Sequence, residues 1–161
     1  MEVEIHMATQ DDLRALVDDL SAGNRGEYER GGYEPIDVLA TVMSRSHSAF
    51  AVRCNGKILA LFGVRNDTPE EALAFGVVPP EDGKAARVWA SVAAAAENHS
   101  LALAKESLVI RDTMLRHYSV LYSLVDSEYT RSVRWLEWLG FRRAAEIIQG
   151  DRRSFLVELR R

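Results

Sequence analysis

The spacing of apolar and polar residues predicts several helices along the chain. Apolar residues recur at helical spacing over Gln10–Leu20, directly after Thr9, whose side chain can cap a helix start. A second helix is predicted to begin at Pro35, because proline suits the first helical turn. The longest pattern of this kind predicts a helix over Ser100–Tyr118.

Extended segments account for most of the remaining chain. Asn55-Gly56 is a strong hairpin signal, because both turn positions favour positive φ. Ser21–Gly32 contains four glycines and is predicted to be a long, mobile loop. The predicted strands are Val3–His6, Ala49–Arg53, Lys57–Val64, Ala74–Val78, Ala86–Ala93, Val120–Val125, Phe141–Ile148 and Ser154–Leu159.

The most informative segment is Thr130–Phe141, which has the pattern of a short amphipathic helix. Gly140 is suited to end this helix, because it has no Cβ to clash in the left-handed conformation. A strand-like run follows the glycine. The apolar face of the predicted helix consists of Val133, Leu136 and Leu139.

Composition limits the class of protein. A chain of 161 residues and 18.0 kDa with 47% hydrophobic residues has the size of one domain, so a single domain over 1–161 is predicted. No apolar run approaches a membrane span, and the acidic N-terminal segment is unlike a signal peptide, which predicts a cytoplasmic protein. The net charge of −4 disfavours nucleic-acid binding. The single cysteine, Cys54, is interpreted as a small buried hydrophobe.

The order of predicted elements resembles the GNAT (GCN5-related N-acetyltransferase) superfamily. Two helices precede a meander of strands, and the strand, helix, Gly140-Phe141 and strand that follow resemble its C-terminal half. The resemblance implies an α/β fold with a mixed central sheet of about seven strands, splayed fourth and fifth strands, and four helices. It also implies transfer of an acetyl group from acetyl-CoA to a small-molecule or protein amine, with no metal.

A narrower resemblance is to phage-encoded GNAT-like proteins that include internal virion protein A of short-tailed phages. This similarity implies a location in the host cytoplasm or the virion, and a phage or host protein as a possible partner. The residues that carry it are Trp89, Lys105-Glu106-Ser107, Leu121-Tyr122, Val125-Asp126, Arg134-Trp135-Leu136 and Trp138-Leu139-Gly140-Phe141.

The resemblance places acetyl-CoA between the fourth strand and the long helix. Pyrophosphate favours a helix N-terminus, where backbone N–H groups and the helix dipole meet the anion. The family's phosphate signature, Gln/Arg-x-x-Gly-x-Gly/Ala, is replaced here by an alanine-rich segment that includes the acidic Glu97. The implied cofactor-binding residues are Ala93, Ala95 and Ala96 for pantetheine, and Asn98, His99 and Ser100 for pyrophosphate.

Candidate catalytic residues follow from the same resemblance. Aligned on Gly140-Phe141, the family's usual tyrosine, which protonates the CoA thiolate, falls on Leu136, and its usual asparagine falls on Tyr129. Leucine cannot donate a proton, so Tyr129 is the candidate acid, unless it is only an exposed aromatic residue. Glu97 or His99 is the candidate base. The alternative is a GNAT-shaped virion or host-interaction protein that has lost acetyl-CoA binding.

The glycine-rich segment Ser21–Gly32 is interpreted as a lid on the acceptor side, or as a plain surface connection. Tyr28 is its candidate anchor, and Glu27 and Glu29 would favour a cationic acceptor. A second aromatic feature, the pair Trp135 and Trp138, fits core packing, an adenine contact or a partner-facing patch.

Overall fold

The computed structural model describes residues 2–161, which form seven strands, six α-helices and one 3-10 helix. The strands are β1 (Val3–Met7), β2 (Ser48–Cys54), β3 (Lys57–Asn66), β4 (Ala85–Val92), β5 (Val120–Asp126), β6 (Arg142–Gln149) and β7 (Arg152–Arg160). The α-helices are α1 (Gln10–Asp18), α2 (Ala22–Arg30), α3 (Pro35–Arg45), α4 (Pro69–Ala74), α5 (Ser100–His117) and α6 (Thr130–Trp138). The 3-10 helix covers Ala94–His99 and leads directly into α5.

The strands form one mixed sheet in the order β1-β2-β3-β4-β5-β7-β6. β4 and β5 are parallel, and their pairing joins Ala85–Arg87 to Val120–Tyr122. This short parallel pairing agrees with the predicted splay of the fourth and fifth strands. The α/β class and the seven-stranded mixed sheet are confirmed, whereas the described chain has six α-helices instead of the predicted four.

The chain divides into two compact units. The first contains residues 2–65 and Trp89–Glu106, and the second contains Asn66–Val88 and Ser107–Arg161. The core of the first unit includes Leu13, Leu16, Leu20, Leu39, Leu61 and Ala93. The core of the second unit includes Ala72, Val77, Val120, Tyr122 and Leu156. That the chain folds as a single domain stays a prediction.

Local signals in the sequence explain several element ends. The Thr9 side chain accepts the Asp12 N–H and starts α1, as predicted. The hairpin between β2 and β3 turns at Asn55 and Gly56, which both have positive φ, 51° and 78°. Gly140 follows α6 with φ of 104°, a conformation that glycine adopts without strain.

The prediction of a mobile loop at Ser21–Gly32 is wrong, because this segment contains α2. The Ser21 hydroxyl accepts the Asn24 N–H at 3.3 Å and caps the helix. Two glycines inside α2 lower its intrinsic helix propensity, so contacts with the rest of the first unit must stabilise it. Asn24 is buried and supplies one of these contacts.

The predicted strand at Ala74–Val78 is also wrong, because the chain forms α4 at Pro69–Ala74 and then turns. Thr68 caps this helix together with Glu71, and Pro69 occupies the first helical position. Gly76, with φ of 91°, ends the segment by reversing the chain. Start and stop signals for a helix therefore outweigh the short apolar run.

A buried carboxylate ties α1 to the first two strands. Asp12 accepts hydrogen bonds from Arg53 Nη2 at 2.7 Å, Arg53 Nε at 2.9 Å and the Thr9 N–H at 2.9 Å. His6 Nε2 lies 3.0 Å from the same carboxylate. Burial raises the pKa of Asp12, but the hydrogen bonds from Thr9, Arg53 and His6 outweigh burial and lower its pKa from 3.8 to about 2.

Protonation of Asp12 should destabilise the fold in acid. A carboxylate with a pKa lower in the folded than in the unfolded state contributes stability above the unfolded pKa, and loses it as the pH falls through the folded pKa. We expect about 2 kcal/mol of unfolding free energy to be lost between about pH 4 and pH 2. Urea unfolding at each pH should show this loss in the wild type and a smaller pH dependence in Asp12→Asn. Asp11→Asn, at a carboxylate that is 89% exposed, is the control, and an identical pH dependence in all three proteins would contradict the assignment.

Candidate functional site

The predicted cofactor-binding residues lie together in the first unit, where β4 ends and the 3-10 helix begins. Ala93 immediately precedes the 3-10 helix, which contains Ala95, Ala96, Asn98 and His99. The three alanines are buried, whereas Asn98 is exposed and His99 is half-buried. Glu97 is exposed on the same helix, and Ser100 is the exposed first residue of α5.

The backbone donors at this turn are already occupied by groups of the protein. The Ala93 N–H donates to the Leu59 carbonyl at 2.8 Å, and the Ala94 N–H donates to the Asp19 carbonyl at 2.7 Å. The Ala95 N–H donates to the Asp19 carboxylate at 3.2 Å. Asp19 therefore places a negative charge at the alanine turn, next to the residues to which the resemblance assigns pyrophosphate.

The end of β4 is covered on one edge by the segment from Asp19 to Asn24. Val92 accepts the Ser21 N–H at 3.0 Å and donates its own N–H to Asn24 Oδ1 at 2.9 Å. Leu20 forms an isolated antiparallel bridge with Ala93. Both backbone groups of Val92 are thus paired with this segment.

The predicted acceptor-binding residues lie on α2, one face of which contacts β4. Tyr28 lies four residues after Asn24, so both side chains point to the same side of the helix. The Tyr28 hydroxyl is 2.5 Å from the hydroxyl of the buried Ser91 on β4. Glu27 is half-buried and Glu29 is exposed, so these two carboxylates do not share one surface with Tyr28.

The second unit contains Tyr129 and Leu136. Tyr129 is the half-buried residue before α6, and its N–H donates to the Asp126 carbonyl at 3.0 Å. Leu136 is 8% exposed and faces the core, as its apolar pattern predicts. Trp138 is 55% exposed whereas Trp135 is half-buried, so core packing does not account for Trp138.

Three residues at the β4 end were missed from the sequence: Asp19, Asn24 and Ser91. Ser21 followed three residues later by Asn24 is a readable helix-start signal, and it would have placed Asn24 on an ordered helix. Asp19 and Ser91 carry no comparable local signal. Their roles depend on contacts between segments more than 60 residues apart in sequence.

The described residues lack two other kinds of feature, a metal-binding cluster and a membrane-spanning helix. Among residues 2–161, no group of three or more His, Cys, Asp or Glu side chains could hold a metal ion. Within the same residues, no helix has both the length and the apolar character that a membrane span requires.

Comparison with known proteins identifies the fold. No protein-family model and no curated protein matches the sequence. An N-acetyltransferase from Staphylococcus aureus Mu50 is 17% identical with a TM-score of 0.66, over 99% of both chains. AAC(6')-Ib in complex with ribostamycin and coenzyme A is 15% identical with a TM-score of 0.69, over 100% of this chain and 94% of the other.

A third similar structure is a spermidine N-acetyltransferase SpeG chimera from Vibrio cholerae and hSSAT. It is 15% identical with a TM-score of 0.66, over 99% of this chain and 96% of the other. Similarity at this level of identity defines architecture and not activity. With its mixed seven-stranded sheet and its short parallel β4–β5 pairing, this chain has the GNAT N-acetyltransferase fold.

Proposed function

We propose that this single-domain protein is an N-acetyltransferase that transfers an acetyl group from acetyl-CoA to an amine. The observation that carries the proposal is the extent of the fold match, which covers 99–100% of this chain in the three acetyltransferase structures compared above. AAC(6')-Ib holds coenzyme A in its structure, which supports acetyl-CoA as the donor.

The proposed reaction is direct attack of a neutral amine on the thioester carbonyl. The new C–N bond forms, the C–S bond breaks, and the leaving thiolate takes up a proton. Glu97 or His99 would accept the amine proton directly or through one water, and Tyr129 would donate a proton to the thiolate. In this scheme Ala93, Ala95 and Ala96 contact pantetheine. Asn98, His99 and Ser100 hold the pyrophosphate.

A small cationic amine is the proposed acceptor. Ribostamycin is bound in one of the similar structures and spermidine gives its name to another, and both molecules carry several amino groups. Glu27 and Glu29 on α2 would attract such a cation, and the net charge of −4 favours its approach. Protein amines are the competing acceptor class, and the proposed location is the cytoplasm.

A second function is favoured by the occupied donors at the β4 end. The N–H groups of Ala93, Ala94 and Ala95 all bind protein acceptors, the glycine signature is absent, and leucine replaces the usual tyrosine at Leu136. These features support a GNAT-fold phage virion or host-interaction protein without acetyl-CoA turnover. Such a protein would act in the host cytoplasm or the virion.

An assay of thiol release separates the two functions. We expect the wild-type protein to release CoA from acetyl-CoA when spermidine, ribostamycin or an amine-bearing peptide is present. Loss of a general base typically lowers kcat by about 10²–10⁴-fold, so either His99→Gln or Glu97→Gln should show such a loss and thereby identify the base. His117→Gln, at an exposed histidine of α5, is the matched control. Wild-type protein that binds acetyl-CoA but releases no thiol with any of these amines would contradict the proposed activity.

A further inference from the structure

The two edges of β4 can be distinguished from the hydrogen bonds at its end. Ala93 donates its N–H to Leu59 of β3, so the backbone groups of Ala93 point toward β3. Successive residues of a strand point their backbone groups to opposite edges. The N–H and C=O of Val92 and the N–H of Ala94 therefore point to the opposite edge.

That opposite edge is occupied by a strand-like segment of the same chain. The Ser21 N–H donates to the Val92 carbonyl, and the Ala94 N–H donates to the Asp19 carbonyl. The third bond differs in kind, because Val92 donates to the side-chain carboxamide of Asn24. Ser21 Oγ lies 3.3 Å from the same carboxamide oxygen and fixes its position.

A carboxamide oxygen and the amide oxygen of a linear ligand are chemically equivalent acceptors. The Val92 N–H has a single hydrogen, so Asn24 and an amide-bearing ligand cannot both bind it well. At the next turn, the Asp19 carboxylate binds the Ala95 N–H and would repel an anionic group there. Asn24 thus resembles the amide of a ligand, and the Asp19 charge disfavours an anionic group beside it.

The helix that carries Asn24 has a low intrinsic helix propensity. Of its residues, only Tyr28 packs against the apolar core of the first unit. It also contacts β4 through the hydrogen bonds of Asn24 to Val92 and of Tyr28 to Ser91. The interior glycines Gly23 and Gly26 further weaken it. The low intrinsic helix propensity of α2 therefore lowers the free-energy cost of its release.

We infer that the segment from Asp19 to Arg30 is an internal competitor for acetyl-CoA, an inference that rests on the proposed function. In the closed state Asn24 occupies the Val92 N–H and Asp19 occupies the Ala94 and Ala95 N–H groups, at the strand end where the proposed function places pantetheine. Binding requires this segment to leave, so the apparent affinity is the intrinsic affinity reduced by the open fraction. This behaviour is opposite to that of a lid, which closes on its ligand.

Hydrogen exchange of the wild-type protein distinguishes an internal competitor from a lid. With saturating acetyl-CoA, peptides covering residues 19–30 should exchange faster than in the free protein, because α2 is displaced. Peptides covering the end of β4 should stay protected, because the ligand replaces Asn24. Slower or unchanged exchange over residues 19–30 in the bound protein would overturn the inference while leaving the proposed function intact.

Affinity measurements test the two competing side chains separately. Asn24→Ala should bind acetyl-CoA about tenfold more tightly, the fold-change that corresponds to ~1.4 kcal/mol. Asp19→Asn should bind both acetyl-CoA and uncharged S-acetylpantetheine more tightly, because a neutral acceptor binds the Ala95 N–H less strongly and the open fraction rises. Asp37→Asn, at an exposed aspartate of α3, should bind as the wild type does.

The outcomes separate this inference from the proposed function. Unchanged affinity in Asn24→Ala, with a wild-type protein that binds acetyl-CoA, would overturn the internal competitor alone. Absence of binding in the wild type but binding in Asn24→Ala would support it strongly. Absence of binding at millimolar acetyl-CoA in both proteins would overturn the inference together with the proposed function.

Discussion

Asp67→Ala is expected to cost about 3–5 kcal/mol of unfolding free energy, because it leaves a largely buried guanidinium without its counter-ion. Asp67 has a fully buried side chain in the second unit. Arg87 Nε lies 3.1 Å from Asp67 Oδ2 as a charge contact, and Arg87 Nη2 donates to Oδ1 at 3.3 Å. The hydroxyl of the buried Tyr122 also donates to this carboxylate.

The protonation states make this cluster sensitive to the loss of the carboxylate. Burial, and then the hydrogen bond to Asp67, raise the pKa of Tyr122, so its phenol remains a proton donor at neutral pH. Removal of Asp67 therefore takes an acceptor from the buried Tyr122 hydroxyl and the counter-ion from the Arg87 guanidinium. The Arg87 guanidinium keeps its position over the Phe75 ring, 4.6 Å from the centroid, which compensates only in part.

Urea unfolding would measure this effect. Asp67→Asn should be less damaging than Asp67→Ala, because its amide oxygen can still accept from Tyr122. Asp11→Ala is the control for loss of an exposed carboxylate and should change stability by no more than about 0.5 kcal/mol. If Asp67→Ala is as stable as Asp11→Ala, the cluster does not stabilise the second unit.

Leu136→Ala should cost about 2–5 kcal/mol, because it removes buried apolar atoms and leaves a cavity. Leu136 lies on the inner face of α6 and is nearly inaccessible to solvent. Its carbonyl also accepts the Phe141 N–H at 3.0 Å across the Gly140 turn, so disorder here would affect the helix end. Denaturant unfolding would measure the loss. Leu73→Ala, at a leucine of α4 that is 61% exposed, is the matched control and should have a small effect.

Leu136→Tyr tests the chemical consequence of the leucine. The phenol is larger than the side chain it replaces, so a buried site should be overpacked and lose about 1–3 kcal/mol. If the variant instead retains wild-type stability and gains acetyl transfer, position 136 admits a catalytic tyrosine. That result would show that Leu136 limits activity in the wild-type protein.

The sequence predicted the elements whose signals are local. The Asn55-Gly56 hairpin, the capped start of α1 and the Gly140 end of α6 each depend on neighbouring residues, and each is present. Leu136 was predicted to be buried because helical spacing places it with other apolar residues. The mixed sheet was implied by the resemblance of the element order to the GNAT superfamily.

Elements that depend on distant contacts could not be predicted in this way. The start of α2 has a local signal in Ser21 and Asn24, but the helix has no apolar stripe and contains interior glycines, so it depends on contacts such as those of Ser21, Asn24 and Tyr28 with β4. The hydrogen bonds of the Ala94 and Ala95 N–H groups could not be predicted either, because their partner Asp19 is about 75 residues away in the sequence. α4 differs, since its Thr68 capping signal was present but outweighed by a short apolar run.

Titration calorimetry with acetyl-CoA tests the central claim most directly. The measurement needs no acceptor amine, because it follows the binding of acetyl-CoA alone to the wild-type protein and to Asn24→Ala. The account predicts saturable binding of one acetyl-CoA per chain, with tighter binding in Asn24→Ala than in the wild type. Absence of binding heat in both proteins at millimolar acetyl-CoA would contradict it, and would leave the GNAT fold without the proposed activity.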